Sequence, residues 1–419
     1  MHYLRNFFDS EGGIKPRKKL NPARTMILGF LIIIIVGALI LSLPVSSRNN
    51  TQVPFIAALF TSISAVCVTG LTAVDTAQTW SIFGQTVILC LFQIGALGFM
   101  SIATIFYIVM HRKINLSQRL LIMQSMNLND MRGVVRLIRH VIFGTLIFEG
   151  IGAAVLWTRF ASEFGIRKGL SMGIFHSVSA FCNAGFDLMG DKGAFSSLTA
   201  YSGDAVIIIT IIMLVFIGGL GFFVWEDIWR NRRFKKLHLH SKLVLTISFV
   251  LIVLGWIFFY VTERANTATI GDMSFPKAAL ASLFQSVMPR SGGFSAVNQE
   301  SLTGISKIGL MTLMLIGGSA GSAAGGIKNV TVGILFLSAI SSLMGRNRLS
   351  VFGRTIPEPQ IISMLSIMII ALTACFTGTA VIAIIQPELP VSDILFEMVS
   401  AIATCGLSAG VTQYLLSTR

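Results

Sequence analysis

The chain alternates long apolar runs with shorter amphipathic ones, and basic segments separate the pairs. Residues 26–43 form the first long run, and about 20 apolar residues suffice to cross a hydrocarbon core of roughly 30 Å. Residues 54–66 follow. At ~1.5 Å per residue they give about 20 Å of helix, so they are predicted to enter the membrane and turn back. Residues 82–110 are predicted to return as a full span. The same order recurs with 134–157, 169–181 and 204–225, then with 243–261, 276–288 and 308–344, and finally with 361–385 and 391–403. The return segment 308–344 holds 37 residues, well beyond one helix, and its Gly-rich middle is expected to break it inside the membrane.

The short runs share one phrase. It opens on Phe60, Phe175, Phe284 or Phe396, usually carries Ser two and four places on, and closes on Gly followed by Leu or Phe. The closing glycines, Gly70, Gly185, Gly293 and Gly406, lie 115, 108 and 113 residues apart. That period is too long for a solenoid and points to four copies of one membrane unit. The expected organisation is a tail over 1–25, then units over 26–110, 111–228 with its preceding loop, 229–345 and 346–419. Only 13 residues follow Gly406, about 20 Å of helix, so the last unit is expected to lack its closing span.

Composition agrees with this pattern. The 419 residues are 54% apolar and 12% charged, with a mean hydropathy of +0.79, more hydrocarbon than one soluble core can bury. The expected class is an all-α polytopic membrane protein. Its net charge of +14 could suit nucleic acid, but 21 of the 32 Lys and Arg fall in the tail and the segments 111–140, 230–242 and 346–354. The positive-inside rule places these segments and the N-terminus in the cytoplasm, against anionic lipid, with no nucleic-acid partner. A signal peptide over the first run is disfavoured because no small-x-small cleavage site follows and Pro44 leads into the next element. The five cysteines have no metal or CxxC spacing and read as small packing residues.

Non-helical backbone at membrane depth must be buried by protein or bathed by water. The four turns are therefore expected to converge on one axis. They would line it with the carbonyls of Cys67, Val68, Thr69 and Gly70; Cys182, Asn183, Ala184 and Gly185; Arg290, Ser291, Gly292 and Gly293; and Ala403, Thr404, Cys405 and Gly406. Such carbonyls replace the hydration shell of a cation, potassium above all. Asp75, Asp187 and Glu300 follow three of the turns and would concentrate cations at the outer mouth, although each taken alone reads more readily as a residue that caps or solvates its loop. The run Gly317, Gly318, Ser319, Ala320, Gly321, Ser322, Ala323, Ala324, Gly325 and Gly326 is the candidate gate, with a small-residue helix contact as the plainer alternative. It lacks the Gly-Lys-Ser/Thr ending of a phosphate loop.

The motifs at 68–71, 181–186, 293–294 and 405–410, joined by Gly325-Gly326-Ile327-Lys328, resemble the Trk/Ktr/HKT superfamily of potassium transporters. They are most similar to the ion-translocating membrane subunit of bacterial Ktr systems. The resemblance implies four M1-P-M2 units around one pore with pseudo-fourfold symmetry, here without the last M2. It further implies a homodimer in the bacterial inner membrane, resting on a cytosolic ring of nucleotide-binding regulatory subunits. The ions would be potassium and, as a second candidate, sodium; the nucleotide would sit on the partner, with no tightly bound cofactor in this chain. Glycine closing all four turns goes with potassium preference in this family. The third phrase departs from the pattern: it is one residue shorter and reads Arg-Ser-Gly-Gly, so a small change of filter shape is expected there.

Of the remaining polar residues, Lys328 is expected to have a structural or gating role. Arg290 would repel cations if it faced the axis, so its side chain is expected to point sideways. Glu149 and Glu397 are expected to hydrogen-bond within the bundle. His238 and His240 read as a solvated face, not metal ligands. A sodium-coupled carrier of a small solute is the rival function. It would need two inverted repeats and a charged central pocket, whereas these four repeats share one orientation. No triad, metal cluster or phosphate loop marks an enzyme.

Overall fold

The computed structural model describes residues 22–98, 134–345 and 349–417; the expected end of the first return span, 99–110, and the loop up to 133 lie outside these. The helices are α1 (Pro22–Leu41), α2 (Phe55–Val66), α3 (Thr76–Thr79), α4 (Ile82–Leu97), α5 (Val134–Phe164), α6 (Ile166–Phe181), α7 (Ala205–Leu220), α8 (Phe222–Asn231), α9 (Leu239–Glu263), α10 (Phe275–Val287), α11 (Gly304–Leu315), α12 (Asn329–Leu343), α13 (Glu358–Ile385), α14 (Val391–Ile402) and α15 (Val411–Ser417). Among the described residues the only sheet is a two-stranded hairpin, Ser350–Val351 against Arg354–Thr355.

Residues Ile138–Phe164 of α5, α9 and α13 are each long and apolar enough to cross a membrane, yet little of their surface is buried by protein. Ile369, Ile370, Phe376, Val381 and Ile384 stand exposed along α13, a face that water would not tolerate and hydrocarbon would. Four shorter helices, α2, α6, α10 and α14, follow the outer ones. Prolines start or precede three of them: α2 and α14 begin directly after Pro54 and Pro390, and Pro276 sits in the first turn of α10; α6 begins after Gly165. A proline costs a helix nothing there, because the first N–H groups have no intrahelical partner.

The first serine of the repeated phrase fixes three of the short helices to the span before them. Ser62 donates to the Ile34 carbonyl, Ser177 to Glu149 and Ser286 to Ile252, each at 2.7 Å. One turn on, the span carries a glycine in each case. A Cβ on Gly37, Gly152 or Gly255 would lie 2.6, 2.5 or 2.6 Å from that same serine oxygen. The fourth short helix has Met398 at this position, packed on Gly378 of α13. The phrase's phenylalanines and the residue after each glycine supply the core: Phe175, Phe284, Phe396, Phe186, Phe294, Leu71 and Leu407 are all buried.

Among the described residues, two return segments are broken. The third is interrupted from 316 to 328, slightly beyond the predicted Gly-rich run, leaving α11 and α12 on either side. The second, expected as one span over 204–225, is also broken: α7 and α8 meet at 92°. Gly221, at φ 95°, makes the bend. Its missing side chain leaves room for the Ala320 carbonyl, 2.8 Å from where a Cβ would stand, so the break answers a loop contributed by the next unit.

Candidate functional site

Each short helix hands over to its predicted turn in nearly the same way. Val68, Asn183, Ser291 and Thr404 adopt φ of 56°, 55°, 72° and 47°, and two residues later Gly70, Gly185, Gly293 and Gly406 adopt 84°, 70°, 77° and 95°. In the first, second and fourth turns the N–H of Thr69, Ala184 and Cys405 donates to the carbonyl of Ser64, Ser179 and Ser400 at 2.8 Å, while Val68, Asn183 and Thr404 donate to Ala65, Ala180 and Ala401 at 3.1 Å. This pair of bonds is a Schellman helix end, built without the usual glycine. A left-handed backbone costs an L-residue about 1–2 kcal/mol, most acutely the β-branched Val68 and Thr404, so surrounding structure must hold it. The third turn closes one residue tighter, Gly292 donating to the Met288 carbonyl at 2.7 Å. The shortened phrase is thus absorbed between Met288 and Ser291, and the positive-φ alternation that follows is unchanged.

The four glycines meet. A Cβ on Gly70 would lie 3.1 Å from the Gly406 Cα and 3.3 Å from that of Gly185; one on Gly185 would lie 2.9 Å from Gly293, and one on Gly406 3.2 Å from Gly293. The same positions abut carbonyls of neighbouring turns: Ala184 beside Gly70 at 2.6 Å, Cys405 beside Gly293 at 2.7 Å and Thr69 beside Gly406 at 2.8 Å. The phrase's second serine braces two of the turns, Ser179 donating to the Phe186 carbonyl at 2.6 Å and Ser400 accepting from the Gly406 N–H at 3.1 Å.

Above the glycines opens a cavity of about 590 Å³, lined by all four of them together with Asp75, Asp187 and Glu300. Below them lies the loop 317–326. Gly317 donates to the Ile327 carbonyl at 2.9 Å and Asn329 to Gly318 at 3.0 Å, closing the loop at its neck. Its tip rests on the α7–α8 break, with Ser319 and Ala323 donating to Gly219 and Gly218 at 3.0 and 3.2 Å, and Phe222 donating to Gly321 at 2.9 Å. Gly325 donates to Ser291 Oγ at 2.9 Å and packs against the Thr404 side chain. The loop therefore touches two of the four turns from beneath.

The model of the TrkH family, described as a cation transport protein, matches residues 17–419. The chain belongs to the TrkH family. It is 39% identical to the potassium/sodium uptake protein NtpJ of Enterococcus hirae, over 94% of this chain and 87% of that one. It is 36% identical to the Ktr system potassium uptake protein B of Bacillus subtilis over the same shares, and 32% identical to that of Vibrio alginolyticus over 98% and 89%. The crystal structure of the potassium transporter TrkH from Vibrio parahaemolyticus superposes with a TM-score of 0.71 at 16% identity, over 95% of this chain and 79% of that one.

In this TrkH-family chain two of the acidic residues lining the cavity are held by backbone N–H groups. Asp75 caps α3 by accepting from Ala77 and Gln78 at 2.9 and 2.8 Å, and its other oxygen accepts from the Phe195 N–H at 2.9 Å. Asp187 accepts from the Met189 N–H at 2.9 Å. Burial raises the Asp187 carboxyl to about 6, with the Met189 N–H opposing and the Asp75 charge adding to the rise. Arg290 points sideways, donating to Ser248 Oγ at 3.0 Å, and Lys328 donates to the Ala324 carbonyl at 2.8 Å, closing the loop on itself. Glu149 accepts from Gln93 at 3.0 Å beside the buried thiol of Cys182. His238 is not simply solvated: its Nδ1 pairs with Asp227 at 2.7 Å, and the Asp227 carboxylate also accepts from Asn231 and the His238 N–H. Among the described residues no group of acidic, His and Cys side chains could hold a metal ion.

Proposed function

We propose that this chain is the ion-translocating subunit of a potassium uptake system. The observation that carries the reading is the ring of four glycines, each at positive φ and each lying against a neighbouring turn's backbone. A helix-then-glycine turn repeated four times and closed on itself can offer a dehydrated cation only main-chain oxygens, the ligand set that suits potassium. The carbonyls of Cys67 to Gly70, Cys182 to Gly185, Arg290 to Gly293 and Ala403 to Gly406 form the filter, arranged with pseudo-fourfold symmetry. Asp75, Asp187 and Glu300 draw cations to the cavity above it. The relatives' names, a potassium/sodium uptake protein and a potassium uptake protein, agree.

The loop 317–326 with Lys328 is the gate. Neutral hydrogen bonds contribute only about 1 kcal/mol each, so the handful that dock this loop let it swing aside without unfolding its neighbours. The chain sits in the bacterial inner membrane with its N-terminus and basic segments on the cytoplasmic side, working as a homodimer on a cytosolic nucleotide-binding ring. The Ktr naming of its relatives as parts of a system supports partners of this kind.

The test is uptake of radiolabelled rubidium by a potassium-import-deficient bacterium expressing the chain with its regulatory partner. Uptake competed by potassium in excess of sodium is the expected result. Uptake competed equally by both would move the reading to a general cation pathway, and none from chain verified in the membrane would overturn it.

A further inference from the structure

The residue directly after each phrase phenylalanine is polar and buried: Thr61, His176, Gln285 and Glu397 are 1%, 0%, 0% and 4% exposed. Nothing in their chemistry is shared except the capacity to hydrogen-bond. Three of them reach the segment that leaves a filter turn on the outer side. His176 Nδ1 lies 2.8 Å from the Met172 carbonyl, which can only accept, so Nδ1 carries the proton and Nε2 accepts from the Leu188 N–H at 3.2 Å. Leu188 is three residues beyond Gly185. Gln285 Nε2 lies 3.4 Å from Ser295 Oγ, two residues beyond Gly293. Glu397 is the most engaged: it accepts from the Ser408 hydroxyl, two residues beyond Gly406, and at 2.9 and 3.3 Å from the Thr412 hydroxyl and N–H. Ser408 Oγ in turn accepts from the Gly410 N–H at 3.0 Å. Among the described residues, Thr61 bonds only the Ala57 carbonyl of its own helix, at 2.8 Å.

We propose that Glu397, with His176 and to a lesser degree Gln285, is a selectivity-positioning residue: each ties the rigid pore helix to the segment leaving its own filter turn, and so holds the ring at one diameter. None of the three touches the ion path. They act on it because a turn anchored at the helix end by backbone bonds and at its exit by a buried side chain cannot widen at either end. A carboxylate accepting three donors is a stiffer anchor than a neutral amide with one long contact. The fourth turn is therefore the most firmly held and the first the least. This inference rests on the potassium-uptake reading above.

The experiment compares rubidium and sodium uptake by the full chain with its partner, normalised to the amount in the membrane, for wild type, Glu397→Ala, Glu397→Gln and Thr412→Val. Glu397→Ala should lower the rubidium-to-sodium ratio by about tenfold, the factor that corresponds to losing one hydrogen bond to a charged group. Glu397→Gln keeps an acceptor for Ser408 and a polar group for Thr412, and should restore most of the ratio. Thr412→Val should fall between, and adding it to Glu397→Ala should lower the ratio no further, because both remove the same tie. Variants that transport less of both ions at an unchanged ratio would overturn the proposal, leaving Glu397 a folding residue. Should Glu397→Ala fail to reach the membrane, an unchanged ratio in Thr412→Val overturns it equally. A wild type that takes up neither ion overturns the transport reading and the brace with it.

Discussion

Replacing Gly70 by serine perturbs the ring most directly. Two costs follow from the structure. Gly70 sits at φ 84°, where an L-residue costs about 1–2 kcal/mol. Its new Cβ would also stand 2.6 Å from the Ala184 carbonyl oxygen and 3.1 Å from the Gly406 Cα, closer than ordinary contact, and both neighbours are backbone that cannot rotate away. The Ala184 carbonyl belongs to the adjacent filter turn, so relief of the clash must move a proposed ion ligand. A shift of about 1–2 kcal/mol between two competing ions is a factor of roughly 5–30 in their ratio. Rubidium uptake measured against sodium uptake, per molecule in the membrane, should show a loss of that size, mainly through gained sodium permeation. Wild-type selectivity at wild-type abundance in Gly70→Ser would refute the reasoning, because no neighbour in this ring has room to accept the side chain unmoved.

Further expectations concern the gate, the mouth and the scaffold. Deleting 317–326 should raise flux and blunt nucleotide control, read as rubidium uptake with and without the regulatory partner; unchanged flux and control in a folded variant would remove the gate assignment. Since the Asp187 carboxyl is raised to about 6, its charge is present above that pH and lost as external pH falls through it. Uptake at limiting potassium should therefore decline from about pH 7 to about pH 5 and decline less in Asp187→Asn; identical profiles would count against a role for this charge. Ser286→Ala removes the hook on the Ile252 carbonyl and should lower thermal stability by about 1 kcal/mol with selectivity kept, checked by melting the purified protein.

The repeated phrase was legible because physics constrains each of its letters. Its first serine must reach a carbonyl on the preceding span, its second sits beneath the turn, and its glycines stand where neighbouring backbone leaves no space for a Cβ. The Gly-rich interruption of the third return segment was legible for a similar reason: five glycines in the ten residues 317–326 cost a helix too much backbone entropy to persist. The break at Gly221 was not, since Gly218, Gly219 and Gly221 lie in an otherwise unbroken apolar run. What bends it is the Ala320 carbonyl of the next unit, more than ninety residues on. The left-handed Val68 and Thr404 also carried no signal, because β-branched residues are poor candidates for that conformation and are held there by the turn as a whole. The brace positions share polarity but no residue type, so only their partners in space relate them. Asp227 was missed as the partner of His238 because the loop between α8 and α9 brings together residues eleven apart.

The four turns are proposed to form one cation site from backbone oxygen. Diffraction from crystals grown in rubidium or thallium, with anomalous maps, addresses it directly. A peak is expected on the axis between Gly70, Gly185, Gly293 and Gly406, among the carbonyls of Thr69, Ala184 and Cys405, and its loss when sodium alone is present. An axis without such a peak in a well-ordered ring, or a peak bound instead by the side chains of Asp75, Asp187 or Glu300, would contradict it.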